Sequence, residues 1–407
     1  MLRSVTGLLL TRRVEVVRAA ADGLYNQHGI KKILPRACAF VLMLGMLLHV
    51  AKVVGEPFVP AGFPAPLVPS DNPITAAKAE LGRHLFYDTR LSVNEKYSCA
   101  SCHIQARAFT DGRVRAVGAT GQLHRHNTMA IANAAYSASF GWNDPKLVRL
   151  EDQLRIPLFG IKPVEMGLTD PLPPQLVQAL ARDAYYGSAF VRAFPGERPM
   201  IDAQHIIKAL ASFVRTIVSY RSPLDRLLFA DDHTALDATA QRGMRLFFSS
   251  RLACASCHAG VNLGGPLRTH DAPRISPVLR NNGLYDVDGK GSYPDGDAGA
   301  IEHTHRARDV GAFRIPTLRN IALTAPYMHD GTLPTLDAVL DHYARGGHSG
   351  RYRSAQVRGF TLTQQERRDL LAFLNALTDH ALLADSRYGA PHTSAHFSSQ
   401  QSPTRLR

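Results

Sequence analysis

The chain has 407 residues, 45% of them apolar and 20% charged, which is enough for two or three domains with sizeable cores. Its net charge is +13, but no basic stripe with interleaved aromatics occurs, which sets nucleic-acid binding aside. Four of the five cysteines fall in two short motifs and leave Cys38 alone, which excludes a disulfide framework.

Residues 1–54 hold eight lysines and arginines against Glu15 and Asp22. A basic flank, an apolar run from Ala37 to Val50 and a polar, Pro-rich stretch read together as an export signal or an uncleaved membrane anchor. The run is short for a spanning helix, yet no clear small-residue cleavage site follows it, so both readings stand. Residues 55–73, GEPFVPAGFPAPLVPSDNP, form a Pro-rich linker.

Beyond the linker the chain repeats itself. Gly82, Leu85, Phe86, Arg90 and Leu91 precede one CASCH pentapeptide, and Gly243, Leu246, Phe247, Arg251 and Leu252 precede an identical one. The repeat is therefore a domain-sized duplication. Between the copies, Ile206, Leu210, Phe213, Val214 and Ile217 share one helical face. After the second copy, Thr335 starts a helix that Gly346 stops, and Thr363 with Glu366 forms a capping box. Strand patterns are scarce. These signals predict two mainly α-helical domains with long irregular loops, at 74–220 and 235–380, then a disordered Ser/Gln/His-rich tail at 381–407.

CASCH is the C-x-x-C-H attachment signature of c-type haem: two thiols add across the haem vinyl groups, and the adjacent His ligates the iron. Cys99, Cys102 and His103 would hold one haem, and Cys254, Cys257 and His258 a second. A zinc site would need a fourth ligand, and a redox dithiol a βαβ context that is absent. Covalent haem attachment is completed outside the cytoplasm, which agrees with export to the periplasm. Each histidine fills one axial face, so function depends on the other face. An open one binds peroxide or oxygen, and a closed one suits electron transfer.

The duplicated motifs, the block FRIPTLRNIALTAPYMHDG (Phe313–Gly331) and the closing helix resemble the bacterial di-haem cytochrome c peroxidase and MauG family over residues 74–380. The resemblance implies two cytochrome c-like haem domains and an enzyme that uses hydrogen peroxide at the N-terminal haem while the C-terminal haem handles electrons. It places Tyr343 as the second ligand of the C-terminal iron, as in the MauG type. Leu336, Val339, Leu340 and Tyr343 share a helix face. Met328 is the rival, as in conventional peroxidases, and Tyr327 and His329 stand beside it. Near the first haem the family's loop histidine falls at Ala119, with His124 and His126 as possible substitutes. Trp142, Gln153, Pro157 and Glu165 match the peroxide-pocket pattern, although the Gln-to-Glu interval is two residues longer than usual. Glu165 would move a proton between peroxide oxygens, Gln153 orient the peroxide, and Trp142, the only tryptophan, relay electrons. Asn127, Thr324 and Pro326 fit a calcium site between the haems. Leu252 stands where MauG has a second tryptophan, which argues against MauG's own substrate. The partner is then a small electron donor, a cytochrome c or cupredoxin, or an unidentified protein substrate. A non-enzymatic electron-transfer or redox-sensing protein is the alternative from another class.

Overall fold

A computed structural model describes residues 59–197 and 201–391. The export or anchor segment expected at 1–54 and the tail beyond residue 391 lie outside the described residues. No described helix is long and apolar enough to cross a membrane.

The helices run α1 Ala76–Tyr87, α2 Cys99–Cys102, α3 Leu150–Phe159, α4 Pro174–Arg182, α5 Tyr186–Ala193, α6 Ala203–Thr216, α7 Pro223–Phe229, α8 Ala238–Phe247, α9 Ile301–Thr304, α10 Leu336–Ala344 and α11 Gln364–Asn375. Among the described residues the only sheet pairs β1 Leu279–Asn281 antiparallel with β2 Ala312–Arg314, Arg280 opposite Phe313. The protein is mainly α with long irregular loops.

Side-chain caps set several helix starts. Thr75, Asp202, Asp237 and Thr335 each accept a backbone N–H from the first turn that follows. Thr363 and Glu366 close the predicted capping box on α11. Chain α10 ends before Gly346, whose φ of +81° suits glycine. Ile206, Leu210, Phe213, Val214 and Ile217 are all buried, as their spacing predicts.

The sequence repeat is a structural repeat. Helix α1 packs on α6, and α8 packs on α11. Each crossing turns on the repeated glycine. A Cβ on Gly82 would lie 2.8 Å from Phe213 Cβ and closer still to the Ala209 carbonyl. A Cβ on Gly243 would lie 2.9 Å from Phe373 Cβ and closer still to the Asp369 carbonyl. The repeated phenylalanines follow suit: Phe86 meets Phe213, and Phe247 meets Phe373, each with ring centroids 5.2 Å apart. Backbones approach this closely only where no side chain intervenes.

Each half has its own apolar core, one around α1 and α6 and one around α8 and α11. Within the second half, Arg319 forks onto Asp225 of α7 at 2.8 Å to each oxygen, with both side chains buried. Polar groups also join the halves. The Asn133 amide donates to Asn262 Oδ1 at 2.9 Å. The Pro-rich segment is tied to this seam, where Phe63 packs against Tyr136 and Phe229.

The expectation of a disordered tail from residue 381 is corrected for residues 382–391. Leu382 and Tyr388 are buried, the Tyr87 hydroxyl donates to the Tyr388 carbonyl at 2.6 Å, and the Gln105 amide donates to the Leu382 and Asp385 carbonyls. Composition averaged over the whole segment concealed these two anchors.

Candidate functional site

Both CASCH motifs open onto cavities. Cys99, Cys102 and His103 line one of about 470 Å³, and Cys254, Cys257 and His258 line one of about 230 Å³. The same five letters fold differently. The Ser101 hydroxyl accepts from Ser98 N at 3.0 Å, and the first copy forms one α-helical turn, Cys99–Cys102. The second copy enters from Ala253 at φ +55° and forms a 3₁₀ turn, Cys254–Ser256.

The histidines nonetheless end in equivalent settings. His103 Nδ1 lies 3.0 Å from the Phe109 carbonyl, and His258 Nδ1 lies 3.0 Å from the Leu263 carbonyl. A carbonyl can only accept, so each ring donates from Nδ1 and keeps its Nε2 lone pair for a metal. Burial lowers the pKa of both imidazoles and favours the neutral, ligating form. Burial also pushes the Cys99 and Cys102 thiols up to about 12 and Cys254 up to about 11. Such thiols are poor thiolates, which disfavours dithiol redox chemistry and suits uncharged thioethers. No cluster of three or more His, Cys, Asp or Glu among the described residues is arranged to hold a metal ion by itself.

Helix α3 supplies one wall of the larger cavity. Leu150, Gln153, Leu154, Pro157 and Leu158, spaced as one helix face, all line it. Gln153 Oε1 is buried with no hydrogen-bond partner, so it is available to a guest. The chain then loops through Gly160–Val164, with a bridge between Ile161 and Val164, and returns alongside the helix. Met166 N donates to the Pro157 carbonyl and Leu168 N to the Leu158 carbonyl, both at 2.9 Å. This return seats Glu165 on the same cavity and absorbs the longer Gln-to-Glu interval. Burial raises the Glu165 carboxyl to about 7. Its side-chain neighbour is His124, with Nε2 at 3.4 Å from Oε1. His124 and His126 also line this cavity, whereas Ala119 is buried with its N–H on the Glu165 carbonyl oxygen at 2.6 Å.

The cavities share a wall. Trp142, Arg314 and Ile315 line both. The Trp142 indole donates to the Asn127 carbonyl at 2.9 Å, and the Trp142 carbonyl accepts from Arg314 N at 2.7 Å. Arg314 is a residue that sequence reasoning missed, although a lone arginine between Phe313 and Ile315 was a signal. Its guanidinium meets the Ser139 carbonyl at 3.0 Å and the Met129 sulfur, while Nε is buried with no partner. Burial brings its pKa down to about 10. A partly buried cation without a carboxylate partner fits an acidic guest, and haem carries two propionates.

In the smaller cavity Leu336, Val339, Leu340 and Tyr343 of α10 all face inward, with Met328 on the wall as well. Asn282, also unforeseen, reaches both candidate ligands. Its Nδ2 lies 3.3 Å from Met328 Sδ and 3.5 Å from the Tyr343 hydroxyl. Burial raises the Tyr343 phenol above its usual range, and a ferric ion would have to reverse that. Leu252 lines the same cavity. Asn127 N donates to the His329 carbonyl at 2.7 Å, beside the loop carrying Thr324 and Pro326. Asn127 Nδ2 donates to the Arg113 carbonyl at 2.7 Å and leaves Oδ1 for a cation. Tyr327 instead bonds the Ile321 carbonyl, and His329 bonds Asp297.

Comparisons with known proteins identify the family. Residues 76–233 match the family described as di-haem cytochrome c peroxidase. The methylamine utilization protein MauG of Methylorubrum extorquens is 36% identical over 76% of this chain and 80% of its own length. Cytochrome-c peroxidase IdrP1 of Denitromonas iodatirespirans is 35% identical over 79% and 87%. A solved MauG-like protein associated with microbial copper homeostasis superposes with a TM-score of 0.79 at 41% identity, covering 82% of this chain and 98% of that one. The diheme peroxidase BthA of Burkholderia thailandensis shares the fold at 21% identity and a TM-score of 0.57, over 83% of this chain and 96% of its own. With two attachment motifs on two cavities, the chain belongs to the di-haem cytochrome c peroxidase and MauG family, haem oxidoreductases that carry two c-type haems.

Proposed function

We propose that this protein is a MauG-like peroxidase that receives hydrogen peroxide in the larger cavity and exchanges electrons through the smaller one. The observation that carries this reading is Glu165. It is a partly buried carboxyl on the His103 cavity, raised to about 7 by desolvation, and it shares that cavity with a Gln153 oxygen that has no partner. The haem held by Cys99, Cys102 and His103 supplies the iron at which peroxide is reduced. Gln153 orients the peroxide, and Pro157 keeps that part of the wall apolar. The Glu165 carboxylate takes the proton from one peroxide oxygen and returns it to the other, so that water can leave. Cys254, Cys257 and His258 would hold the second haem, and Tyr343, on the same cavity, would be a further ligand to it. Trp142, on the shared wall, carries electrons between the cavities, and Asn127, Thr324 and Pro326 hold a calcium ion near it. Arg314 pairs with a propionate.

The second reading gives the ligand position to Met328, because Asn282 approaches its sulfur and the Tyr343 hydroxyl alike. Electron paramagnetic resonance of the ferric protein separates the two. Tyr343→Phe should change the low-spin signal and Met328→Leu should leave it intact; the opposite pattern selects methionine.

The reducing partner is a small electron-donor protein, a cytochrome c or cupredoxin, or a protein substrate. Leu252 gives no tryptophan route from the second haem, so that partner differs from MauG's. Export places the reaction in the periplasm. Mixing the ferric protein with hydrogen peroxide tests the reading: the haem absorption should change within the mixing time, and an unchanged spectrum rejects peroxide as the oxidant.

A further inference from the structure

The smaller cavity is lined by charge of one sign. Apart from histidines, its charged lining residues are Arg251, Arg280, Arg314 and Arg358, and no Asp or Glu lines it among the described residues. The larger cavity is mixed, with Asp144, Glu165 and Glu302 against Arg125, Lys162 and Arg314. Arg314 belongs to the wall between the two. Arg251, Arg280 and Arg358 are exposed, so they stand where the smaller cavity meets solvent. Arg251 bonds the Thr361 carbonyl at 2.9 Å and pairs with Glu366. Arg280 bonds only the carbonyl of its neighbour Leu279, at 3.1 Å, and Arg358 has no side-chain partner among the described residues.

The sequence extends the same charge. From Tyr343 to Gln365 the chain holds Arg345, Arg351, Arg353 and Arg358 and no Asp, Glu or Lys. Ser354, Gln356 and Phe360 of this stretch line the cavity with Arg358. The acids nearby are engaged elsewhere. Glu366 pairs with Arg251, and Asp337 and Asp341 pair with Arg367. Asp286 and Asp288 accept backbone N–H groups of their own loop, which meets this stretch where Gly291 approaches Gly350. Phe248, half exposed, adds an apolar spot: its ring stands edge-on to Phe247 of the cavity wall, with centroids 5.2 Å apart. Exposed arginines without carboxylate partners attract a surface of opposite charge, most strongly at low ionic strength.

We propose that this arginine collar is the docking face for an acidic one-electron donor protein that delivers electrons to the second haem. The inference rests on the reading that the smaller cavity exchanges electrons, and it fixes the sign of the partner's charge. Reduction of one hydrogen peroxide to two waters breaks the O–O bond and consumes two electrons and two protons. Two donor molecules are each oxidised by one electron and leave in turn, and solvent supplies the protons. A donor that must leave after each electron needs a small interface, in which charge sets the rate of encounter more than the final affinity.

The test mixes the full-length protein, with both haems attached, with hydrogen peroxide and one of two reduced probes: plastocyanin, an acidic cupredoxin, or a lysine-rich cytochrome c. Plastocyanin should be oxidised about tenfold faster, and its rate should fall about tenfold between ionic strengths of about 0.01 and about 0.15 M. The double variant Arg280→Glu, Arg358→Glu should slow plastocyanin about tenfold, flatten its salt dependence and speed cytochrome c. Wild-type rates that ignore salt, or a cytochrome c that outruns plastocyanin, overturn the proposal. A double variant that slows both probes alike overturns it too, because the arginines would then serve the second haem and not a partner. So does binding of anionic lipid vesicles that the variant loses while plastocyanin is oxidised as before, which would assign the collar to a membrane. If the variant fails to load haem, the wild-type comparison of the two probes decides. Failure of the peroxidase reading is seen separately: neither probe is oxidised, while nuclear magnetic resonance of plastocyanin still shows salt-sensitive binding to the ferric protein.

Discussion

Two glutamates that desolvation pushes upward meet opposite fates in this chain. Burial opposes ionisation of Glu151, but Arg215 forks onto it at 2.7 and 2.8 Å and holds its pKa down at about 2. Glu165 has no arginine, and burial leaves it at about 7. The first is a strut, and the second is free to exchange a proton near neutral pH. Breaking a buried ion pair strands a charge, so Glu151→Ala should destabilise the protein by about 3–5 kcal/mol in denaturant unfolding at pH 7. Because the folded pKa is depressed, this stabilisation is present above the unfolded value of 4.5 and fades as pH falls towards 2. The difference between wild type and variant should therefore shrink in acid. On the proposed reading the Glu165 carboxylate is the active form, so the rate of reaction with peroxide should rise with pH through about 7. Glu165→Gln should flatten that profile and slow the reaction by a factor of about 10² to 10⁴, measured by stopped-flow absorbance. Sequence placed Glu165 through its apolar neighbours and the family resemblance. It gave no sign of the Glu151–Arg215 pair, whose partners are 64 residues apart.

At the scale of elements, the repeated Gly–Phe pair explains why a duplication can be read from a few letters. Gly82 and Gly243 each let one helix rest on the backbone of another. Replacing either with alanine gains up to about 1 kcal/mol of helix propensity. It also drives a methyl group into a backbone carbonyl, and overpacking of this kind costs about 1–3 kcal/mol. The clash should win, and Gly82→Ala and Gly243→Ala should each lower the thermal midpoint; a raised midpoint in either would show that the crossing is loose. Periodicity revealed the buried face of α6 and the inward face of α10, because both are continuous along one helix. It did not reveal how Glu165 reaches the wall built by Gln153 and Pro157. That depends on the return of the chain after Gly160, which has no period. Nor did it reveal that the two CASCH copies differ in helical form, since the difference lies in the flanking residues Ser98 and Ala253.

For the whole molecule, the central feature is a wall shared by two cavities. Trp142, Arg314 and Ile315 face both, and the tryptophan is pinned by its indole bond to the Asn127 carbonyl. Trp142→Phe removes that bond, worth about 1 kcal/mol, and leaves an aromatic in place. Haem content should be preserved while electron exchange between the haems slows, which rapid-mixing spectroscopy would detect as separate responses of the two centres. On the proposed reading, the division of labour rests on Glu165 and Gln153, which share a cavity with His103, and on Tyr343, which shares one with His258. Electron paramagnetic resonance of the ferric protein before and after hydrogen peroxide tests this directly. The account predicts one high-spin and one low-spin haem, with both signals diminished by peroxide. Two low-spin signals that peroxide leaves unchanged would contradict it.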